Sequence, residues 1–502
     1  MTNHYNTAFS IKKKEVVLVK PSKPTPSSHV LSLSTIDNDH NLQLLCQTIY
    51  VYKSNHVIPS INNAHSHHHE NGNNNDSHDD NLAQPKSDHN NQTDTASLIE
   101  KALSDVLVFY YPLAGMMKRQ SDGRLQINCN AIGVPFLVAN VDCQLSSLDY
   151  LDGIDVETAQ SLVFDFPSHD PDKGEHPLVF QVTKFTCGGF TIGMGLSHSV
   201  CDGSGAAQFY RAMAELASGK SEPSLKPVWE REKLVSKSTP GPPKFIVDPA
   251  SLATSPFLPT NDFMHESFNV NAESIKRLKM DLINECKGDH HVHEIQGNFY
   301  FTTLEVLSAY VWRSRFRALK LNPDAKIMIG IAMNIRRHLN PPLPDGYYGN
   351  AFISTNVVLS GKELNEKPLS ETADLIKQSK KSSSTNEYIL TSLGILERLR
   401  ELNVKFGGSG ATMALTDWRQ LGLIEEIDFG WGGSVNMVPV PWNMFGYVDL
   451  CLFLPCNHVN PSMKGGVRVL VSLPRAAMLK FKEEMDALKV EDHVHYSDNG
   501  SA

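Results

Sequence analysis

Residues 222–263 divide the chain in two. The stretch KPVWEREKLVSKSTPGPPKFIVDPASLATSPFLPTND, which fills most of that span, is crowded with proline and serine and keeps neither a helical nor a strand period. On both sides of it, alternating segments and longer segments with helical spacing resume. A chain of 502 residues is also too long to close around a single core. The expectation is therefore an α/β protein with mixed sheets: an N-terminal domain over 1–221, a crossover linker over 222–263, and a C-terminal domain of similar size over 264–502.

Within the first half, residues 55–95 stand apart. SINNAHSHHHENGNNNDSHDDNLAQPKSDHNNQTD is almost free of large apolar residues and cannot bury enough surface to order itself, so it reads as a disordered insert. A flexible tract holding His65, His67, His68 and His69 binds metals weakly and without fixed geometry, and no metal site is expected. DHHVHE at 289–294 reads the same way. The eight cysteines are scattered without CxxC pairs, which suggests neither zinc nor a disulfide framework. The first residues lack the apolar run of a signal peptide, and no segment approaches the length of a membrane span; a cytoplasmic protein is expected. A net charge of −9 argues against a nucleic-acid partner. GSGAAQ at 203–208 and GGSGAT at 407–412 each lack the third glycine of a dinucleotide fingerprint, and there is no P-loop and no GxSxG.

The periodicity of the rest is legible. In SLIEKALSDVLVFYYP, Leu98, Ile99, Ala102, Leu103, Val106 and Leu107 recur at helical spacing. Ser97 with Glu100 has the form of a capping box, and Pro112 is expected to stop the run. Leu178 to Thr186 reads as a strand, Cys187-Gly188-Gly189 as a turn, and a second strand follows from Phe190. Phe190, Ile192, Met194 and Leu196 share one face of it, and with a period of two His198 falls in line with them, pointing inward at the strand end. A helix follows, with Phe209, Met213 and Leu216 as its stripe, Asp202 or Ser204 as N-cap and Gly219 as C-cap. Beyond the crossover, FTTLEVLSAYVWRSRFRAL reads as a helix, KIMIGIAMNI as a buried strand and NPPLPDGYYGN as a turn-rich loop. GGVRVLVSL reads as another strand, and the helix after Pro474 carries Met478, Phe481, Met485 and Leu488 on one stripe.

LSHSVCDG places His198 four positions before Asp202. An imidazole has a reference pKa of about 6.5 and can serve as a general base, a role typically worth about 10²–10⁴-fold. The same spacing also suits a satisfied core histidine. Cys201 permits a Cys–His nucleophile, and Ser199 and Ser204 a serine one, although nothing in the neighbouring sequence marks them as activated. Asp202 is expected to be structural: orienting the loop, capping the helix or pairing with a distant arginine.

HSVCDG in mid-chain, NPPLPDGYYGN after it and DFGWG at 428–432, in that order, resemble the signatures of the plant BAHD acyltransferases, which pass an acyl group from coenzyme A to an alcohol or amine. YYPLAGMMKR, QVTKFTCGGF and LPRAAMLKFKEEM are also similar to segments of that family, so the resemblance covers nearly the whole chain outside the insert. It implies two chloramphenicol-acetyltransferase-like domains with a channel between them, entered by acyl-CoA from one side and the acceptor from the other. It implies that His198 is the general base and that the acceptor attacks the thioester directly. Trp418 and Thr416 in LTDWRQLG would then be donors to the oxyanion; an indole N–H can only donate, and a threonine hydroxyl rotates to suit. Asp202 would pair with Arg336, away from substrate, and Asp428, Gly430 and Trp431 would shape the coenzyme side. The resemblance implies acyl-CoA as co-substrate with no resident cofactor, a small-molecule acceptor, and a monomer. Two departures are YYGN for the commoner YFGN, and Asn334 where many members carry Asp.

Within the family the chain is most similar to the branch that acylates spermidine with hydroxycinnamoyl groups. The alternative is O-acyl transfer, with acetyl- or benzoyl-CoA, to a terpenoid or other specialised-metabolite alcohol. An alkylammonium has a pKa of about 10.4, so a polyamine acceptor implies an alkaline optimum and acidic residues along the acceptor half of the channel. Two further readings are a carrier-protein condensation enzyme, whose motif has a second histidine where Ser197 stands, and a non-catalytic binding protein.

Overall fold

The computed structural model describes residues 9–54, 94–153, 156–168, 170, 172–239, 241, 247–288, 301–404, 410–424, 427–440 and 449–489. The histidine-rich tract, DHHVHE at 289–294 and the first glycines of GGSGAT lie outside these residues.

Three sheets carry the fold. The largest runs in the order Ile11–Lys13, Val134–Val141, Leu178–Lys184, Phe190–Ser197, Leu45–Tyr52 and Asn436–Val440, with Val17–Val19 also paired to Val134–Val141. The second has six strands, ordered Phe263–Val270, Val467–Pro474, Asp449–Leu454, Thr412–Asp417, Lys326–Asn334 and Phe352–Ser360. A three-stranded sheet of Val30–Ser32, Leu125–Asn128 and Met116–Arg119 packs beside the first. Both large sheets mix parallel and antiparallel neighbours: Val134–Val141 is parallel to Leu178–Lys184, and Thr412–Asp417 is parallel to both of its partners. Helices cover the sheets, and each large sheet has its own apolar cluster.

The expected boundary at residue 264 is not the one the sheets follow. Asn436–Val440 leaves the second half of the chain and pairs antiparallel with Leu45–Tyr52, from Asn436 opposite Val51 to Val440 opposite Gln47. This closes an edge of the first sheet that would otherwise present unpaired N–H and C=O groups. Met437 and Val438 enter the N-terminal core as a result. Arg468, in the second sheet and 2% exposed, donates to Asn436 Oδ1 at 2.7 Å and to Met437 O at 3.0 Å, tying the transferred strand to its own half. Among its described residues the crossover carries short 3-10 turns at Arg231–Leu234 and Pro249–Ser251 and isolated bridges from Val228 to Tyr347 and Leu252 to Lys326 before the strand at Phe263.

The helix beginning at Thr95 starts two residues before the expected cap at Ser97. Thr95–Val106 is helical with Asp94 as N-cap residue, and Ser97 and Glu100 are exposed on its first turns rather than forming a box. The helix ends at Val106, and Pro112 lies inside a separate 3-10 turn, Tyr111–Ala114. Reciprocal capping boxes occur instead at Thr302 with Glu305 and Ser360 with Glu363. Of the described residues, no helix is long and apolar enough to cross a membrane.

Candidate active site

The strand Phe190–Ser197 lies between Leu178–Lys184 and Leu45–Tyr52 and is buried on both faces. One face buries Phe190, Ile192, Met194 and Leu196 by hydrophobicity. The other is buried by close approach: a Cβ at Gly193 would collide with the Leu162 carbonyl oxygen and stand 3.0 Å from Val163 Cγ1. At Ser197 the strand ends. His198 N donates to Leu44 O at 2.9 Å, Val200 N to Ser197 O at 2.9 Å, and the chain turns. Asp202 then caps the helix Gly203–Ala217, accepting from Gly205 N at 3.0 Å. Phe209, Met213 and Leu216 are buried along this helix, and Gly219, at φ +95°, follows its C-cap Ser218.

His198 sits on that turn, half-buried, where two cavities meet. The larger, of about 250 Å³, lies against the second sheet and is lined by His198, Ser204, Gly330, Phe352, Thr416 and Trp418 among others. The smaller, of about 50 Å³, is lined by Thr48, Tyr50, Met194, Cys201 and Leu423. His198, Asp202, Gly203 and Trp418 border both. Thr416 and Trp418 reach the site because Thr412–Asp417 points its C-terminal end at the histidine turn, and Trp418 N is held by Phe453 O at 2.8 Å.

Burial holds the His198 pKa below its ordinary value, against the opposing pull of its own carbonyl oxygen, Asp202, Asn350 and Asp39. Among the described residues, Nδ1 is buried without a hydrogen bond of standard geometry. Asp202 does not pair with His198. Its carboxylate accepts from Arg336 Nη1 at 2.8 Å, Arg336 Nη2 at 3.0 Å and Ala351 N at 2.9 Å. Arg336 and these bonds hold the Asp202 pKa low despite its burial. Asn334 Nδ2 donates to Ser204 Oγ at 3.4 Å at the cavity wall.

The alternative nucleophiles fare poorly. Burial pushes the Cys201 thiol up to about 12, and it donates to Tyr348 Oη at 3.4 Å, so it is a thiol and not a thiolate at neutral pH. Ser199 is buried and donates to Leu42 O at 3.3 Å.

DFGWG lies outside both cavities. Asp428 Oδ1 accepts from Gly430 N at 2.7 Å and Gly432 N at 2.8 Å, folding the motif on itself, and Gly430 takes φ +99°, which a side chain would resist. Phe429 packs against Tyr210 of the histidine helix, with ring centroids 5.3 Å apart, and Trp431 against Phe190 at the start of the histidine strand, at 5.0 Å. These contacts are with the elements that carry His198, and Phe429 also meets Tyr52 on the neighbouring strand.

Three residues at the site were given no role from the sequence, although Asn350 closes the NPPLPDGYYGN loop. Asn350 Nδ2 donates to His198 O at 2.7 Å and to Asp37 Oδ1 at 2.8 Å. Asp37 is paired at 2.5 Å with Arg231, which comes from the crossover, and Arg231 Nη2 donates to Val200 O at 2.8 Å. Arg231 is 2% exposed and Asp37 fully buried. A pair 194 residues apart leaves no periodicity to read; the only available hint was a charged residue inside a proline-rich stretch.

The sequence profile described as the Transferase family matches residues 83–488. The chain belongs to that family. It is the BAHD family whose motifs the sequence resembles. Spermidine coumaroyl-CoA acyltransferase of Arabidopsis thaliana is 43% identical over 485 residues, covering 95% of this chain and 96% of that protein. Spermidine sinapoyl-CoA acyltransferase of the same plant is 38% identical over 484 residues, covering 95% and 97%. Among solved structures, vinorine synthase superposes with a TM-score of 0.67 at 20% identity, covering 95% of this chain and 98% of that one, a likeness of fold.

Proposed function

We propose that this chain, acting as a monomer, transfers a hydroxycinnamoyl group from its coenzyme A thioester to an amine of spermidine, with His198 as general base. The observation that carries this is a single imidazole, kept unprotonated by burial, at the junction of two cavities formed by one chain. The kinship with two acyltransferases named for spermidine and hydroxycinnamoyl-CoA supports the choice of substrates.

In this reading the amine nitrogen attacks the thioester carbonyl carbon while His198 Nε2 takes its proton. The C–N bond forms, and the carbonyl electron pair moves onto oxygen. The Thr416 hydroxyl and Trp418 indole N–H, both at the larger cavity, are the groups available to receive that negative charge. Collapse expels coenzyme A as thiolate, which recovers the proton from His198. The products are an amide and free coenzyme A, and no group on the protein is left acylated. Asp428, Gly430 and Trp431 act by bracing the strand and helix that hold the base.

A cationic acceptor calls for carboxylates. Asp202 and Asp417 line the larger cavity, but each is paired with an arginine, Asp417 with Arg419 at 2.5 Å. Asp39 accepts from Asn41 N and Nδ2, both at 2.9 Å, and its charge bears on His198. Burial raises its own pKa, and it lines neither cavity.

The test is thiol release with coumaroyl-, caffeoyl-, feruloyl-, acetyl- and benzoyl-CoA crossed with spermidine and a panel of alcohols. Turnover with a hydroxycinnamoyl-CoA and spermidine is expected, with a loss of roughly two or more orders of magnitude in His198→Ala. Turnover with alcohols alone would overturn the amine assignment, and a near-native His198→Ala would remove the base.

A further inference from the structure

We propose that the buried Arg231–Asp37 pair is a positioning device for the base: it fixes the carbonyl groups of His198 and Val200, and through them the aim of the imidazole. The inference rests on His198 as general base.

Every acceptor position of Asp37 is engaged. Oδ2 accepts from Arg231 Nη1 at 2.5 Å and Ser34 N at 2.9 Å; Oδ1 accepts from Asn350 N at 3.1 Å and Asn350 Nδ2 at 2.8 Å. The two hydrogens of the Asn350 amide divide between Asp37 and the His198 carbonyl, and Arg231 reaches the Val200 carbonyl with its other terminal nitrogen. Two of the three carbonyls on the His198–Val200 turn are thus held from one carboxylate. The Asp37 loop, the crossover and the 349–351 segment of the second half all meet here.

The opposite side mirrors this. Arg336 donates to Gly349 O at 2.9 Å, and Ala351 N donates to Asp202. Residues 349–351 are therefore gripped between two arginine–aspartate pairs. Gly349 has no room to spare: a Cβ there would stand 2.8 Å from Arg231 Nη1 and 2.9 Å from its Cζ.

The consequence for chemistry follows from the imidazole. Its Nδ1 is buried, and its own carbonyl oxygen is the foremost influence raising its pKa against desolvation. Holding that carbonyl fixes its direction and distance from the ring it influences. If the pair served only stability, apolar residues of similar volume would do as well; this pair instead directs its hydrogen bonds onto the histidine turn.

Arg231→Lys keeps the charge but replaces a planar fork with a point charge that cannot bridge Asp37 and Val200 O. The expected result is a folded protein with kcat roughly tenfold or more lower, an unchanged KM for acyl-CoA, and an acid limb of the kcat profile moved lower, because the held carbonyl that raises the His198 pKa is released. Gly349→Ala, which pushes the guanidinium aside without touching a charge, should reproduce all three, and it decides alone if Arg231→Lys fails to fold. Native turnover with a native acid limb in a folded variant would overturn the proposal. His198→Ala run in parallel separates the two readings: if it is inactive while Arg231→Lys is native, only the positioning device falls; if it is itself near native, the base falls first.

Discussion

Asp202→Asn separates holding the histidine turn from doing chemistry on it. Asparagine is as good an N-cap as aspartate, so Oδ1 can still accept from Gly205 N. The atom that replaces Oδ2 is different. At that position Arg336 Nη1 donates from 2.8 Å and Ala351 N from 2.9 Å; an amide NH₂ there sets donors against donors. Arg336 keeps its bond to Gly349 O but loses its counter-charge at a site where the side chains are only 18% and 10% exposed. Removing one partner of a buried pair costs about 3–5 kcal/mol, and the partial exposure of Arg336 places this variant near 3. For halves of this size that corresponds to a fall in Tm of roughly 6–12 °C. The assay is a thermal melt beside His198→Ala. The aspartate variant should melt early and retain turnover at low temperature, and the histidine variant should melt normally and be inactive. A Tm within a degree of native for Asp202→Asn would refute the account of Asp202 as the clasp between the two halves.

Other expectations follow from the same geometry. Because His198 has a depressed pKa in the folded state, the unfolded chain binds the proton first: this group's contribution to stability is fully present above the unfolded value of about 6.5 and is lost as pH falls from there through the lower folded value. kcat/KM should show two rising limbs, one at that folded value below about 6.5 from His198 and one well above 7 from deprotonation of the amine acceptor, which draws the optimum alkaline; loss of the lower limb to a value above 7, apart from the amine's own, would contradict the buried, neutral imidazole. Trp418→Phe and Thr416→Val each remove one oxyanion donor, and either should lower kcat about 10²–10³-fold with little change in KM if that group carries the charge; native rates in both would send the oxyanion elsewhere. Cys201→Ser should keep its bond to Tyr348 and full activity, and a large loss would return the thiol to the list of nucleophiles.

Much of the site could be read along the chain because it is built locally. Apolar alternation from Phe190 to Leu196 and a helical stripe from Phe209 to Leu216 bracket a turn, and both elements form there. The pairing of Asp202 with Arg336 was anticipated only through family resemblance; no spacing connects residues 134 positions apart. The helix over Thr95–Val106 was legible in type but not in its start, because a side-chain cap pattern at Ser97 competes with two more residues that simply continue the helix. The strand Asn436–Val440 has an ordinary apolar composition, and nothing in it says which sheet it will join.

By itself, the sequence determined what depends on neighbours a few residues apart: the histidine on its strand end, the capped helix after it, the uncommitted crossover, and the order of motifs that marks the family. Only the tertiary structure decided what depends on segments hundreds of residues apart. It lent Asn436–Val440 to the other sheet, brought Arg231 out of the crossover to Asp37, and set Trp418 across from His198. Period and propensity are local quantities, whereas a buried charge pair or a borrowed strand is stable only once the whole chain has excluded water around it.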